Sequence, residues 1–128
     1  MKYVYPALFT PFDDNEDGYC VEFPDIPGCL TEGFSLDEAI AMAHSALREM
    51  LQYYEDNKLP IDKASRISDV HADSERGQFT SLISVETKDH TVVKKTVSLQ
   101  KWMVSQAEER HISLSRVLQN ALAEQLNA

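Results

Sequence analysis

Nowhere in the 128 residues does an apolar run approach the roughly 18 residues of a membrane-spanning helix. Met1–Phe9 lacks the charged-then-apolar layout of a secretory leader. Cysteine is scarce: Cys20 and Cys29 stand without a second cysteine pair or histidines at zinc-ligand spacing. They read as small buried or half-buried residues, with a disulfide the weaker alternative. His44, His71, His90 and His111 are scattered and share no ligand spacing, so the sequence calls for no metal and no cofactor. Internal repeats and low-complexity segments are missing. The expectation is a cytoplasmic chain with no membrane partner.

Negative charge is what the chain has in quantity, and it is unevenly placed. The net charge is −9, but residues 1–89 hold 18 Asp/Glu against 7 Lys/Arg, while residues 90–128 hold 3 against 5. Such asymmetry points to two units with different partners, one acidic and one mildly basic. The same numbers also fit an acidic surface kept for solubility with a short tail positive by chance.

Periodicity outlines the first unit. Tyr3–Phe9 is rich in aromatic and branched residues and predicts a strand, with Pro6 pointing to an edge position or a bulge. Tyr19, Val21 and Phe23 alternate with polar neighbours as a half-buried strand does, and Cys29–Thr31 begins a third. Ser35 opens a helix in capping-box form with Glu38, and Leu36, Ile40, Ala43, Leu47, Met50 and Tyr54 recur at steps of three and four. Lys58-Leu59-Pro60 ends it. Residues 61–78 read as a loop, Phe79–Val85 as a returning strand, and Thr87–His90 as a hinge. Three strands, a helix and a fourth strand make an α+β domain over residues 1–86.

Residues 91–128 read as a second, smaller module. Val93, Lys95, Val97 and Leu99 alternate with Lys94, Thr96 and Ser98, the period of a strand with one mainly apolar side. A short helix over Gln100–Arg110 follows, with Met103, Ala107 and Trp102 inward. Ser113 then caps a helix striped by Leu114, Val117, Leu118, Ala121 and Leu122. So short a piece cannot bury these faces alone. A second copy supplies the rest: two strands pair into a ribbon, and Val93, Val97, Leu99, Met103, Leu114, Val117, Leu118, Ala121 and Leu122 form a shared dimer core. Lys94, Thr96 and Ser98 then line the outer face of a ribbon that fits a DNA major groove. The N–H groups of Ser113, Leu114 and Ser115 are free for a phosphate, with Arg116 and Lys101 adding charge.

The run Val97-Ser98-Leu99-Gln100-Lys101-Trp102-Met103, then Ala107, Ile112-Ser113-Leu114-Ser115 and Val117–Leu122, resembles the ribbon-helix-helix domain of HicB antitoxins. Tyr5-Pro6-Ala7-Leu8-Phe9, Gly18-Tyr19, Glu22–Cys29 and Gly33-Phe34-Ser35 are similar to the N-terminal domain of the same family. The resemblance implies a partial ribonuclease-H-like fold (βββαβ) that binds and masks a HicA-type toxin, a small basic RNA-cleaving protein. It implies as well a C-terminal dimer that binds the operator of its own operon, with pairing into higher oligomers left open. Gln100 stands where many ribbon-helix-helix proteins have proline, and Ser98 where arginine is common, which leaves Lys94 and Thr96 as the stronger base contacts. With a basic toxin as partner, Asp13, Asp14, Glu16, Asp17, Glu22, Asp25 and Glu32 become the toxin-contact candidates. Two other readings remain: a stand-alone transcription regulator whose first domain senses another ligand, and a magnesium-dependent nuclease using Asp13, Asp25 and Glu32. Binding and masking, not enzymatic turnover, is the reading carried forward.

Overall fold

The computed structural model describes residues 1–14 and 17–127. Strands β1 (Lys2–Pro11), β2 (Tyr19–Glu22) and β3 (Leu30–Gly33) precede helix α1 (Leu36–Asp56), and β4 (Phe79–Glu86) follows it. The four strands form one antiparallel sheet in the order β3-β2-β1-β4. Helices α2 (Lys101–Glu109) and α3 (Leu114–Gln125) follow. The chain divides into a unit Met1–Thr91 and a second beginning at Val92. Among the described residues no helix is long and apolar enough to cross a membrane.

Alternation sets the face that meets α1, although Pro6 and Leu8 on the other face of β1 are buried as well. Tyr5, Ala7 and Phe9 of β1, Val21 of β2, and Ile83 and Val85 of β4 turn to one face and are buried with Ala39, Ala43, Leu47 and Leu51 of α1. Phe9 stacks on Phe79 at 4.8 Å between ring centroids, and Tyr19 meets both rings edge-on. Ser35 caps α1 as expected, its Oγ accepting from the Glu38 N–H at 3.1 Å.

Four expectations need correction. β1 is an interior strand, yet Pro6 is tolerated because β2 pairs only with Leu8–Pro11, so the side where its N–H is missing has no ladder to lose. The buried stripe of α1 runs through alanine, while Leu36 and Ile40 are 44% and 38% exposed. The cause lies across the interface: a Cβ at Gly33 would come within 2.3 Å of the Ala39 backbone nitrogen, so β3 and the first turn of α1 touch backbone to backbone. Large side chains have no room there. Cys20 is exposed, because Val21 takes the inward position on β2. Finally, Thr87–His90 is no hinge: Thr87 is buried and its N–H donates to the Met1 carbonyl, and the compact unit continues to Thr91.

Candidate functional site

The sheet face turned away from α1 carries the first surface. Cys20 pairs with Glu32 and Glu22 with Leu30 across β2 and β3, so both glutamates share that face. They border an open cavity of about 440 Å³ lined by Thr10, Cys20, Glu22, Leu30, Glu32 and Arg76, among others. Asp13, Asp14 and Asp17 are exposed in the turn between β1 and β2, and Glu16 lies outside the described residues. Asp25 differs from this set. It is half-buried, and its two oxygens accept from the Ser65 N–H at 2.9 Å and the Ser65 hydroxyl at 2.5 Å. Its carboxylate fastens the loop before β4. Asp25 and Asp62 also raise the Tyr5 hydroxyl pKa by their charge, after burial as the larger cause, and that hydroxyl donates to the Asp62 carbonyl. Among the described residues, no three His, Cys, Asp or Glu side chains come together as a metal site requires.

The second cluster, at the end of α1, went unnoticed in the sequence. Glu55 accepts from the Tyr3 hydroxyl and from Thr87 Oγ1, both on the same oxygen. Burial first, and then this carboxylate, push the Tyr3 hydroxyl up to about 12. One turn away Gln52 brackets the Lys88 backbone, and His90 Nδ1 lies 3.0 Å from Asp56 Oδ1. The Gln52 bond, and then His90, hold the Asp56 carboxyl below its ordinary value. Asp89 is lowered as well, chiefly by the Thr91 backbone N–H at 2.9 Å. The contacts of Thr87, Lys88 and His90 bind this segment along the C-terminal turns of α1. The sequence signal was weak, because polar residues 35 positions apart have no periodicity to link them.

In the second unit, residues 92–100 have no ladder partner among the described residues, so the strand expected over Val93–Leu99 is not formed there. A strand exists only through its neighbour, and one copy supplies none. Lys94, Thr96 and Ser98 are exposed, and so are Val93 at 69% and Val97 at 55%. The helices form where expected. Ser113 Oγ accepts from the Arg116 N–H at 3.3 Å, leaving Leu114 and Ser115 in the first turn of α3. Ala107 is buried, but Met103, Leu114, Val117, Leu118, Ala121 and Leu122 all remain exposed, as do Leu99, Lys101 and Arg116. Trp102, expected inward, is 57% exposed and donates its indole N–H to Gln100 Oε1.

Residues 5–123 match the model of the HicB-like antitoxins of bacterial toxin–antitoxin systems. The chain belongs to that family. Its similarity to Antitoxin HicB 1 of Photorhabdus laumondii is 46% identity over 59 residues, which is 44% of this chain and 37% of that protein. The chain thus spans well under half the length of that curated relative. Among solved structures, the toxin–antitoxin complex from Streptococcus pneumoniae superposes with a TM-score of 0.60 at 25% identity, covering 98% of this chain and 99% of that one. The antitoxin HicB of Burkholderia pseudomallei gives 0.56 at 25% identity, covering 95% and 96%. The α+β fold of this antitoxin-family chain is therefore shared along almost its whole length, second unit included.

Proposed function

We propose that the chain neutralises a HicA-type, mRNA-cleaving toxin through its first unit and, as a dimer of the second, binds operator DNA to repress its own operon. The observation that carries this reading is the family match, which runs through both units. On this reading the first unit, residues 1–86 by sequence, keeps the partial ribonuclease-H-like role of masking a nuclease. Its exposed Asp13, Asp14, Asp17, Glu22 and Glu32 steer and register a basic toxin. Asp25 stays in the candidate set with a second role, since its two oxygens also hold Ser65.

Residues 91–128 form the DNA-binding half. The bare apolar set Val93, Val97, Leu99, Met103, Val117, Leu118 and Leu122 is what a shared core needs, and it supports pairing with a second copy. The ribbon so formed presents Lys94, Thr96 and Ser98 to base edges, and the first turn of α3, with Arg116 and Lys101, holds the flanking phosphates. The decisive experiment is co-expression with a HicA-type toxin, taken from any small basic reading frame found beside its gene. A co-purifying complex that suppresses the partner's RNA cleavage is the expected result. Failure to form a complex would reduce the chain to a regulator answering another signal.

A further inference from the structure

β3 stands at one edge of the sheet, and among the described residues it pairs with β2 alone. The Phe12 N–H donates to the Gly18 carbonyl, which makes Thr10–Cys20 and Leu8–Glu22 the pairs that exchange hydrogen bonds between β1 and β2. Pro11, which has no N–H, falls accordingly on a pair that exchanges none, with Tyr19. The odd residues of β2 therefore bond to β3, and the Phe23 N–H donating to the Cys29 carbonyl at 3.1 Å continues that series. Within β3, Thr31 and Gly33 use their backbone groups on β2, while Leu30 and Glu32 aim theirs outward. Among the described residues no hydrogen bond reaches those outward groups.

The side chains around this edge leave it accessible. α1 closes on β3 at Gly33, and Gly33 and Cys29 are buried, but Leu30 is 67% exposed and Glu32 is exposed as well. Leu30 borders a cavity on each side of the sheet. On the face away from α1 lies the cavity with Glu22 and Glu32. Arg76 is the one cation lining it, and among the described residues it is ion-paired to neither glutamate. Beside α1, Leu30, Ala46, Glu49, Met50 and Tyr53 line a groove of about 310 Å³.

We propose that this edge takes an extended segment of the basic toxin as an added strand, with cationic side chains over Glu22 and Glu32 and an apolar one in the groove against Met50 and Tyr53. The inference rests on the toxin-binding reading and names the surface and the kind of segment that meet. Successive residues of an added strand point to opposite faces of the sheet. Those opposite Leu30 and Glu32 fall on the acidic face, and the residue between them turns to the α1 side. The segment that fits therefore alternates cation, apolar residue, cation. Main-chain bonds to Leu30 and Glu32 supply affinity, and the alternating side chains supply selection.

Charge selects this occupant over a second copy. Two β3 edges pairing antiparallel use both outward residues of each copy only about Thr31, with Leu30 opposite the counterpart of Glu32. That register brings two Glu32 and two Glu22 side chains onto one face of a chain that already carries −9. A cationic strand meets the same carboxylates with attraction. The acidic turn adds to it: Tyr19 pairs with Gly33, and the Phe12 ring meets Phe34 at 5.7 Å. Asp13, Asp14 and Asp17 therefore stand toward the Gly33 end of the same edge and extend its negative field.

The full chain is titrated with the HicA-type toxin of the co-expression experiment, and amide hydrogen exchange is read in the free and bound states. The amides of Leu30 and Glu32, fast in the free chain, should slow by roughly a hundredfold in the complex, while Thr31, already bonded to β2, changes less. Leu30→Pro is then compared with Leu30→Ala. Proline is tolerated where the N–H of an edge strand faces outward, so this variant keeps the sheet and loses one outward donor. It should bind roughly tenfold more weakly than the alanine variant. Equal affinities of the two variants overturn the proposal. Should Leu30→Pro misfold by circular dichroism, the exchange result decides in its place. Amides of Leu30 and Glu32 that stay fast in a formed complex overturn the proposal and leave the toxin-binding reading standing, whereas failure to form any complex overturns both. Protection of these amides in the free chain that grows with its concentration assigns the edge to a second copy, and also overturns the proposal.

Discussion

Gln52 grips the backbone of Lys88 from both sides: its Oε1 accepts from the Lys88 N–H at 2.9 Å, and its Nε2 donates to the Lys88 carbonyl at 2.8 Å. A side-chain amide thus completes a backbone ladder that β4 has already left. The neighbouring bonds, Thr87 to Glu55 and His90 to Asp56, extend the attachment along the last two turns of α1.

Replacing Gln52 with alanine removes both bonds to Lys88 and leaves the core untouched. Each such neutral bond contributes about 1 kcal/mol, less where water competes. The expected outcome is a rise in amide exchange at Lys88 of roughly tenfold, with little change in the global melting temperature. Gln52→Glu keeps an acceptor for the N–H but cannot donate to the carbonyl, so it should fall between the two. A wild-type exchange rate in the alanine variant would show that other contacts alone hold this segment.

The same attachment should respond to acid. Asp56 is lowered from its ordinary 3.8 by the Gln52 bond and by His90, and Asp89 by the Thr91 N–H. A carboxylate whose folded pKa is depressed contributes stability that is complete above its unfolded pKa. That contribution is lost as pH falls through the folded pKa. The contacts of residues 88–91 should therefore hold at neutral pH and loosen below about pH 4. Amide exchange of Thr91 followed from pH 6 to pH 3, corrected for intrinsic rates, checks it. Asp56→Asn should flatten the His90 part of the response.

Asp25 offers a test that separates support from contact. Its oxygens hold Ser65 of the connection between α1 and β4. Asp25→Asn should cost about 1–2 kcal/mol, the scale of a charged bond weakened by partial exposure. It should speed tryptic cleavage after Lys63 and Arg66, both exposed in that connection. Toxin affinity should change less than for Glu22→Gln paired with Glu32→Gln. If Asp25→Asn weakens the complex more than that pair does, while cleavage of the loop stays at the wild-type rate, Asp25 acts chiefly as a contact.

What was legible in the sequence follows physical range. Alternation located β2 and β4, and capping at Ser35 and Ser113 set the starts of α1 and α3, since these signals act between near neighbours. The face of α1 was read rightly at Ala43, Leu47, Met50 and Tyr54 and misjudged in its first turns, because spacing favours bulky Leu36 and Ile40 whereas close approach to Gly33 demands Ala39. That constraint is visible only once β3 and α1 are side by side. In the candidate site, Glu22 and Glu32 come together through strand register, and Asp25 parts from them through Ser65, forty positions away. The bond from Tyr3 to Glu55 and the grip of Gln52 on Lys88 depend on long-range closure and left no local pattern.

For the second unit the sharpest test is Lys94→Ala combined with Thr96→Ala. Both side chains are exposed in a segment with no regular structure in the single chain, so the substitutions disturb no existing packing. On the proposed dimer they stand on the outer ribbon face, where each lost base contact costs about 1–3 kcal/mol per subunit. Two subunits contribute, so specific operator binding should fall by three or more orders of magnitude. Toxin neutralisation should be unchanged, because it is assigned to the first unit. Titrations on operator and on unrelated duplex at several salt concentrations distinguish the roles. Loss confined to the operator marks base reading, whereas equal loss on both with a shallower salt slope marks phosphate contact by Lys94. Normal operator affinity in the double variant would rule out the ribbon as the reading surface.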